Sequence, residues 1–397
     1  MRDTFSMHVA TYLDNNATTA IDPEVFEFLL EVLRSVCGNP SSQHGAGSFS
    51  AGLLRVARGQ VARLLGIPSD AEIVFTSGGT ESNNTAILSA LETQKGRNEI
   101  VVSSIEHASV LALCAHLERS GRAVIRRLPV DGQGRVDLDA SRFAIGARTA
   151  IVSVQWANNE TGVLQPIPAL VRTAHAAGAL FHCDAVQAAG RVPIDLNLLP
   201  IDMLSVSSHK MHGPQGVGAL FVRKRTLFSP LVRGGRQERG RRAGSENVAG
   251  IAAFGRAADL AAARLQVDAE RMASLRDEFE KSVKSHFPNC SVLSSSAPRL
   301  PNTSCIAFAD AEGDALVTLL DRRGVQVSSG AACASGSMEP SHVLRAMRVP
   351  ISYRHGAVRF SFSRRSTSAD VRHALCALQA AMQRLSANSN AEEAACG

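Results

Sequence analysis

The chain has 397 residues, 45% apolar and 20% charged, with a net charge of +6, which suits a soluble globular protein of two or three domains with ordinary cores. An aromatic content of 5% argues against single-strand nucleic-acid binding by base stacking, and no apolar run approaches the ~18 residues that span a membrane. The eight cysteines (Cys37, Cys114, Cys183, Cys290, Cys305, Cys333, Cys376 and Cys396) contain no C-x-x-C pair, which speaks against a zinc site or disulfide scaffold. The first residues lack the apolar stretch of a secretory signal, so a cytoplasmic protein with reduced thiols is expected.

In chain order, Glu72–Phe75 is an apolar strand leading into Ser77-Gly78-Gly79-Thr80 and then a helix. Glycines there allow close backbone approach, and a helix N-terminus attracts phosphate, although a lone Gly-Gly-Thr is a weak signal. Ile100–Ser103 is the next strand, followed by His107; an imidazole there can stack on a ring and shuttle protons, and a capping or core histidine is an equal reading. Ala150–Val154 precedes the polar loop Trp156-Ala157-Asn158-Asn159-Glu160-Thr161-Gly162. That loop offers amide donors, or is an ordinary Asn-rich turn. Ala179–Asp184 ends on a carboxylate suited to a protonated pyridine nitrogen or to a helix cap, with Gln187 three residues on.

Met203–Val206 leads to Ser207-Ser208-His209-Lys210. The chain has only five lysines, so an amine nucleophile has few candidates, and Lys210 stands where α/β sheets collect ligands. Taken alone, an exposed lysine after a strand is the commoner outcome. Val217–Val222 closes a series that predicts a mostly parallel sheet covered on both faces.

The basic run Arg233–Arg242 fits either a nucleic-acid patch or a solvated loop. From about residue 245 a long helix is predicted over Ala249–Lys284, then alternating shorter elements of a smaller α+β domain. Arg359 stands inside the apolar strand Val358–Phe360, where a guanidinium calls for an anion. Cys333 lies on Ser328-Ser329-Gly330-Ala331-Ala332-Cys333-Ala334-Ser335-Gly336-Ser337, a stretch with almost nothing to bury. It reads equally as a spare thiol or as a nucleophile that travels.

Together these segments resemble the cysteine desulfurases of the NifS/IscS type, within the class-V aminotransferase group of enzymes that use pyridoxal 5'-phosphate (PLP). The resemblance is carried by Tyr12–Thr19, Gly38–His44, Thr76–Ser82, Asn158–Gly162, Asp184–Gln187, Ser208–Lys210, Gly240–Asn247 and the Cys333 loop through His342. The segments Gln237–Arg242 and His355–Arg364 look closest to the nitrogen-fixation branch.

The resemblance implies the fold type I architecture of PLP-dependent aminotransferases. It assigns 19–257 to the large PLP-binding domain, 1–18 with 258–388 to the small domain carrying the Cys333 loop, and 389–397 to a disordered tail. Lys210 would bind PLP covalently, Asp184 would face the ring nitrogen, Gln187 the ring hydroxyl side, and His107 would stack on the ring. Gly79, Thr80, Ser207 and His209 would hold the phosphate, and Ser245 would reach the phosphate of the neighbouring subunit in a homodimer. Asn159, on the cofactor and substrate side, and Arg359 would hold the carboxylate of L-cysteine. Cys333 would take the sulfur as a persulfide, helped by His107 or its own surroundings to lose its proton, and L-alanine would leave. No resident metal is implied; Cys333 would at most share a cluster transiently with an iron–sulfur scaffold or other sulfur acceptor, for nitrogenase maturation. The basic run becomes a dimer and active-site loop, with neither nucleic acid nor membrane as a partner. The alternatives are a selenocysteine lyase or a housekeeping sulfur donor. Cys183 and Ser245 stand where the family more often has Thr; Cys183 has no functional account.

Overall fold

The computed structural model describes residues 10–309, 311–329 and 341–396, with side chains through residue 386. Chain order begins with β1 (Thr11–Tyr12), α1 (Pro23–Ser35) and α2 (Gly45–Leu64). The alternating section follows: β2 (Ile73–Thr76), α3 (Gly79–Thr93), β3 (Glu99–Ser103), α4 (Ala108–Arg119), β4 (Val124–Leu128), α5 (Leu138–Ala144), β5 (Thr149–Ser153), α6 (Ile167–Ala176), β6 (Leu180–Asp184), β7 (Met203–Ser207) and β8 (Gly218–Val222). The rest is α7 (Val248–His286), β9 (Cys290–Val292), β10 (Thr303–Phe308), α8 (Gly313–Asp321), β11 (Val325–Gln326), β12 (Ser328–Ser329), α9 (His342–Ala346), α10 (Ile351–Arg354), β13 (Ala357–Ser361) and α11 (Ser368–Cys396).

Seven strands form one sheet in the order β2-β8-β7-β6-β5-β3-β4. It is parallel except at β8, which runs antiparallel to both neighbours. Its central strands are buried on both faces, as near-continuous apolar runs require. One face packs on α2, α6 and the first half of α7, through Val61, Leu170, Ile251 and Phe254. The other face packs on α3 and α4, through Ile87, Val110 and Leu117.

A second, antiparallel sheet has the order β12-β13-β10-β9. Its core is Phe279, Phe308, Phe360 and Phe362 with Leu316 and Leu378. The 39-residue α7 belongs to both cores: Phe254 and Ala258 face the first, Leu275, Phe279 and Val283 the second.

Two expectations change. β4 is an additional strand; it is an edge with Arg126 and Arg127 exposed, so it lacks the apolar run that marks the others. The tail expected at 389–397 is instead helical through Cys396, because Ala391, Glu392, Glu393, Ala394 and Ala395 are strong helix formers that continue α11.

Candidate active site

The carboxyl ends of β2, β3, β5, β6 and β7 open on one side of the large sheet, where α/β folds bind ligands. Lys210 stands on the single turn after β7. Its Nζ donates to the carbonyls of Asn16 at 2.5 Å and Ala17 at 2.7 Å. Asp184 closes β6, buried; its Oδ2 accepts from Asn83 Nδ2 at 2.7 Å and its Oδ1 from the Val186 amide at 3.0 Å. Gln187 lies on the turn that follows; its Nε2 donates to the Asn16 carbonyl at 2.9 Å, and its Oε1 accepts from Arg191.

His107 follows β3 and caps α4, as the capping reading of the sequence allowed: its Nδ1 accepts the Ser109 amide at 3.1 Å. Gly79 and Thr80 open the 15-residue α3. The preceding Gly78 has φ +150, and a Cβ on Gly79 would lie 2.7 Å from Val186 Cγ2. Both positions therefore need glycine, one for conformation and one for space. Ser207 faces this turn, 3.9 Å from where a Cβ on Gly78 or Gly79 would sit. His209 is half-buried beside it, with Nδ1 3.1 Å from Thr18 Oγ1. Burial, then Lys210 and Arg191, holds its pKa down at about 4, so it stands as a neutral ring. Exposed Ser245 lines a cavity of about 160 Å³ with Thr76, Ser77, Gly216 and Arg242 of the same chain.

Arg359 enters from the second sheet, on β13. Its Nη2 pairs with Asp14 at 2.6 Å and its Nη1 donates to the Asn159 carbonyl at 3.0 Å. Its Nε is buried and has no partner among the described residues. Asn158 turns its side chain inward, accepting from the amides of Glu160 and Thr161, and so shapes the loop that presents half-buried Asn159. Cys333 lies outside the described residues.

These groups fit PLP. The glycine-lined start of a long helix, Ser207 and the neutral His209 suit a phosphate. A buried carboxylate held by two donors suits a pyridinium nitrogen, and an amine at a strand end suits the aldehyde.

Several residues of the site carried no role in the sequence reading. Asn16 is the main one: 1% exposed, it takes Lys210 and Gln187 on its carbonyl. Its side chain donates to Asn159 and Thr303 and accepts from Asn302. Its place in Asp14-Asn15-Asn16-Ala17 was visible, but its partners lie more than 140 residues away. Arg191 is fully enclosed and bonds Gln187 and the carbonyls of Asn15 and Lys210. Glu160 is buried, accepts Ser341 Oγ at 2.5 Å, and has its pKa pushed up to about 7 by burial, against the pull of Ser341 and Arg359.

The class-V aminotransferase family profile matches residues 11–373. A cysteine desulfurase of Cereibacter sphaeroides is 56% identical over 360 residues, 91% of this chain and 92% of that one. The cysteine desulfurase NifS of Azotobacter vinelandii is 48% identical over 91% of this chain and 89% of its own. Among solved structures, a NifS-like protein superposes with a TM-score of 0.87 at 35% identity, covering 94% of this chain and 99% of that one. SspA in complex with cysteine superposes with a TM-score of 0.78 at 31% identity, covering 90% and 99%. The fold, the PLP-compatible site and these likenesses together establish that the chain belongs to the class-V aminotransferases, in the NifS/IscS-type cysteine desulfurase family.

Proposed function

We propose that this protein takes sulfur from L-cysteine, releases L-alanine and carries the sulfur on Cys333 to an iron–sulfur assembly partner, nitrogenase maturation included. The observation that carries this reading is one chain of contacts from Lys210 Nζ through Asn16 to the Asn159 carbonyl and Arg359. It links an amine and a guanidinium through one buried asparagine, and those are the two kinds of group that engage the cofactor end and the carboxylate of an α-amino acid.

In this reading Lys210, Asp184, Gln187, His107, Gly79, Thr80, Ser207 and His209 hold PLP, which supplies an electron sink that weakens bonds at the amino acid's α- and β-carbons. Arg359 binds the substrate carboxylate, its Nε, without a partner among the described residues, being the spare donor, and Asn159 sits beside it. Lys210 Nζ takes and returns the α-proton. Cys333 Sγ, as thiolate, attacks the substrate sulfur: an S–S bond forms, the Cβ–S bond breaks, and its electron pair stays on carbon, where protonation gives alanine. An unperturbed thiol is mostly protonated near neutral pH, so its surroundings must favour the thiolate.

A homodimer belongs to the same proposal, with Ser245 completing the partner's phosphate site. Exposed Leu227, Leu231 and Val232 on the segment leading to Ser245 support it, since apolar side chains on one loop are suited to burial by a partner.

Two variants test the reading. Lys210→Ala should abolish the visible absorption of bound cofactor. Cys333→Ala should keep that absorption and lose sulfide release from cysteine by orders of magnitude. A Lys210→Ala protein with unchanged absorption, or a Cys333→Ala protein releasing sulfide at the wild-type rate, overturns it.

A further inference from the structure

Asn83, near the start of α3, touches two parts of the site at once. Its Nδ2 donates to Asp184 Oδ2 at 2.7 Å and to Ser109 Oγ at 2.9 Å, which uses both amide protons. The residue is 1% exposed, and its Oδ1 is buried without a partner among the described residues. Turning the amide over would set Oδ1 against the Asp184 carboxylate, so charge fixes its orientation.

Ser109 Oγ, accepting from Asn83, keeps its own proton for His107 Nδ1, 2.8 Å away. The Ser109 backbone amide donates to the same Nδ1 at 3.1 Å. A backbone amide can only donate, so Nδ1 carries no proton in the neutral ring.

We propose that Asn83 and Ser109 are positioning residues that hold His107 as its Nε2–H tautomer and join it to Asp184 in one directed hydrogen-bond chain. The proposal rests on the reading that Asp184 and His107 face PLP. Its consequence is chemical. The lone pair of the neutral ring is engaged by Ser109, and Nε2 carries the ring's one N–H. Neutral His107 is therefore a hydrogen-bond donor at Nε2, and the group that takes a proton from the Cys333 thiol is a different one.

Among the described residues, titratable groups around the ring include Glu106, which precedes it, Asp184 at the end of β6, and His342 at the start of α9. His342 Nε2 donates to the Glu106 carbonyl, 3.0 Å away; its pKa is lowered first by burial and in smaller part by Arg345 and His107.

The test is nitrogen NMR of the holoenzyme labelled with 15N-histidine, with His107→Gln used to assign the His107 signals. In wild type, Nδ1 should be unprotonated and Nε2 protonated at neutral pH. Ser109→Ala removes one of two donors on Nδ1, so the pH at which His107 takes its second proton should rise by roughly one unit, and Ser109→Thr should restore it. A wild-type ring protonated at Nδ1, or an unmoved midpoint in Ser109→Ala, overturns the proposal. The readout is the ring nitrogen, so it is separate from cofactor absorption. Failure of the functional reading would appear in Lys210→Ala, and failure of the chain in these spectra.

Discussion

Arg359 is 2% exposed and holds two partners, Asp14 and the Asn159 carbonyl, while its Nε is still unbonded among the described residues. A planar fork so held cannot be replaced by a point charge. Arg359→Lys should lower kcat/KM for cysteine by roughly 10- to 100-fold, mostly through KM, with the cofactor absorption retained; unchanged steady-state kinetics would exclude Arg359 from the carboxylate site. Glu106 is a different kind of residue. Its oxygens accept the Gln155 amide at 3.0 and 2.9 Å and meet Ser103 Oγ, yet burial pushes its pKa up to about 8, with Asp184 adding a smaller push. The folded state thus binds this proton more tightly than the unfolded chain. The stabilisation is complete below the ordinary carboxylate pKa and is lost as pH rises toward 8. Between pH 5 and 8, denaturant titrations should show wild type losing stability relative to Glu106→Gln, with a limiting slope of ~1.4 kcal/mol per pH unit; a pH-independent difference would rule this out. The places of Lys210, Asp184 and His107 at or just past strand ends were legible because each strand writes itself as an apolar run in the sequence. Asn83 and Ser109 were not, since a hydrogen-bond chain between α3, α4 and β6 leaves no local pattern.

The segment from Arg233 to Asn247 shows how one buried carboxylate can hold a whole element. Glu238 receives Arg58 Nη1 and Nη2, both at 2.7 Å, and the Phe75 amide at 3.0 Å. Glu238 and Arg239 stand at φ +49 and +60, a conformation that costs non-glycine residues about 1 kcal/mol or more each. The Arg58 pair holds that backbone in place, and Arg242 adds a contact to Glu81 on α3 at 3.0 Å. Removing one partner leaves a buried, uncompensated charge. Glu238→Ala should therefore cost about 3–5 kcal/mol in denaturant unfolding and weaken cofactor retention by displacing Ser245; a fully stable variant with normal cofactor binding would show that the segment is held by other contacts. In the sequence this run was only basic and ambiguous. Its dense arginines are visible, but the glutamate that ties the run to Arg58 and the Phe75 amide is not distinguishable from an exposed one. Strands fared better because burial on both faces writes itself as an apolar run, whereas the half-exposed β4 has none.

At the scale of the molecule, residues 11–19 join the two sheets across the site. Thr11 and Tyr12 pair with Val325 and Gln326, and Asp14 bridges to Ser361, all in the second body. Thr19 then bonds the His209 carbonyl at 2.8 Å, beside Lys210 in the first. Asn16 sits midway, donating to Asn159 at 3.1 Å and to Thr303 at 2.9 Å while its carbonyl receives Lys210. The groups of the proposed substrate site thus reach one another through this short segment, Asn16 by way of Asn159 and Asp14 directly to Arg359, because Arg359 rides on the second sheet and Lys210 on the first. Asn16→Ala keeps the carbonyl that Lys210 uses and removes a side chain that, with that of Asp14, ties this segment to the second sheet. It leaves Asn302 and Thr303 with fewer partners in a buried place, which should cost about 2 kcal/mol of stability. The larger effect should be catalytic. Lys210 and Arg359 would lose their fixed spacing, and kcat/KM should fall by roughly 10- to 100-fold, since a misplacement of about 1 Å can have that effect. Cofactor absorption should be nearly unchanged, because the residues proposed for PLP lie on the first sheet and its loops. Circular dichroism melts, cofactor spectra and cysteine kinetics on the same preparation separate these outcomes. Loss of cofactor with intact kinetics per bound cofactor would mean that residues 11–19 serve the PLP site alone and do not set the distance between the two sheets.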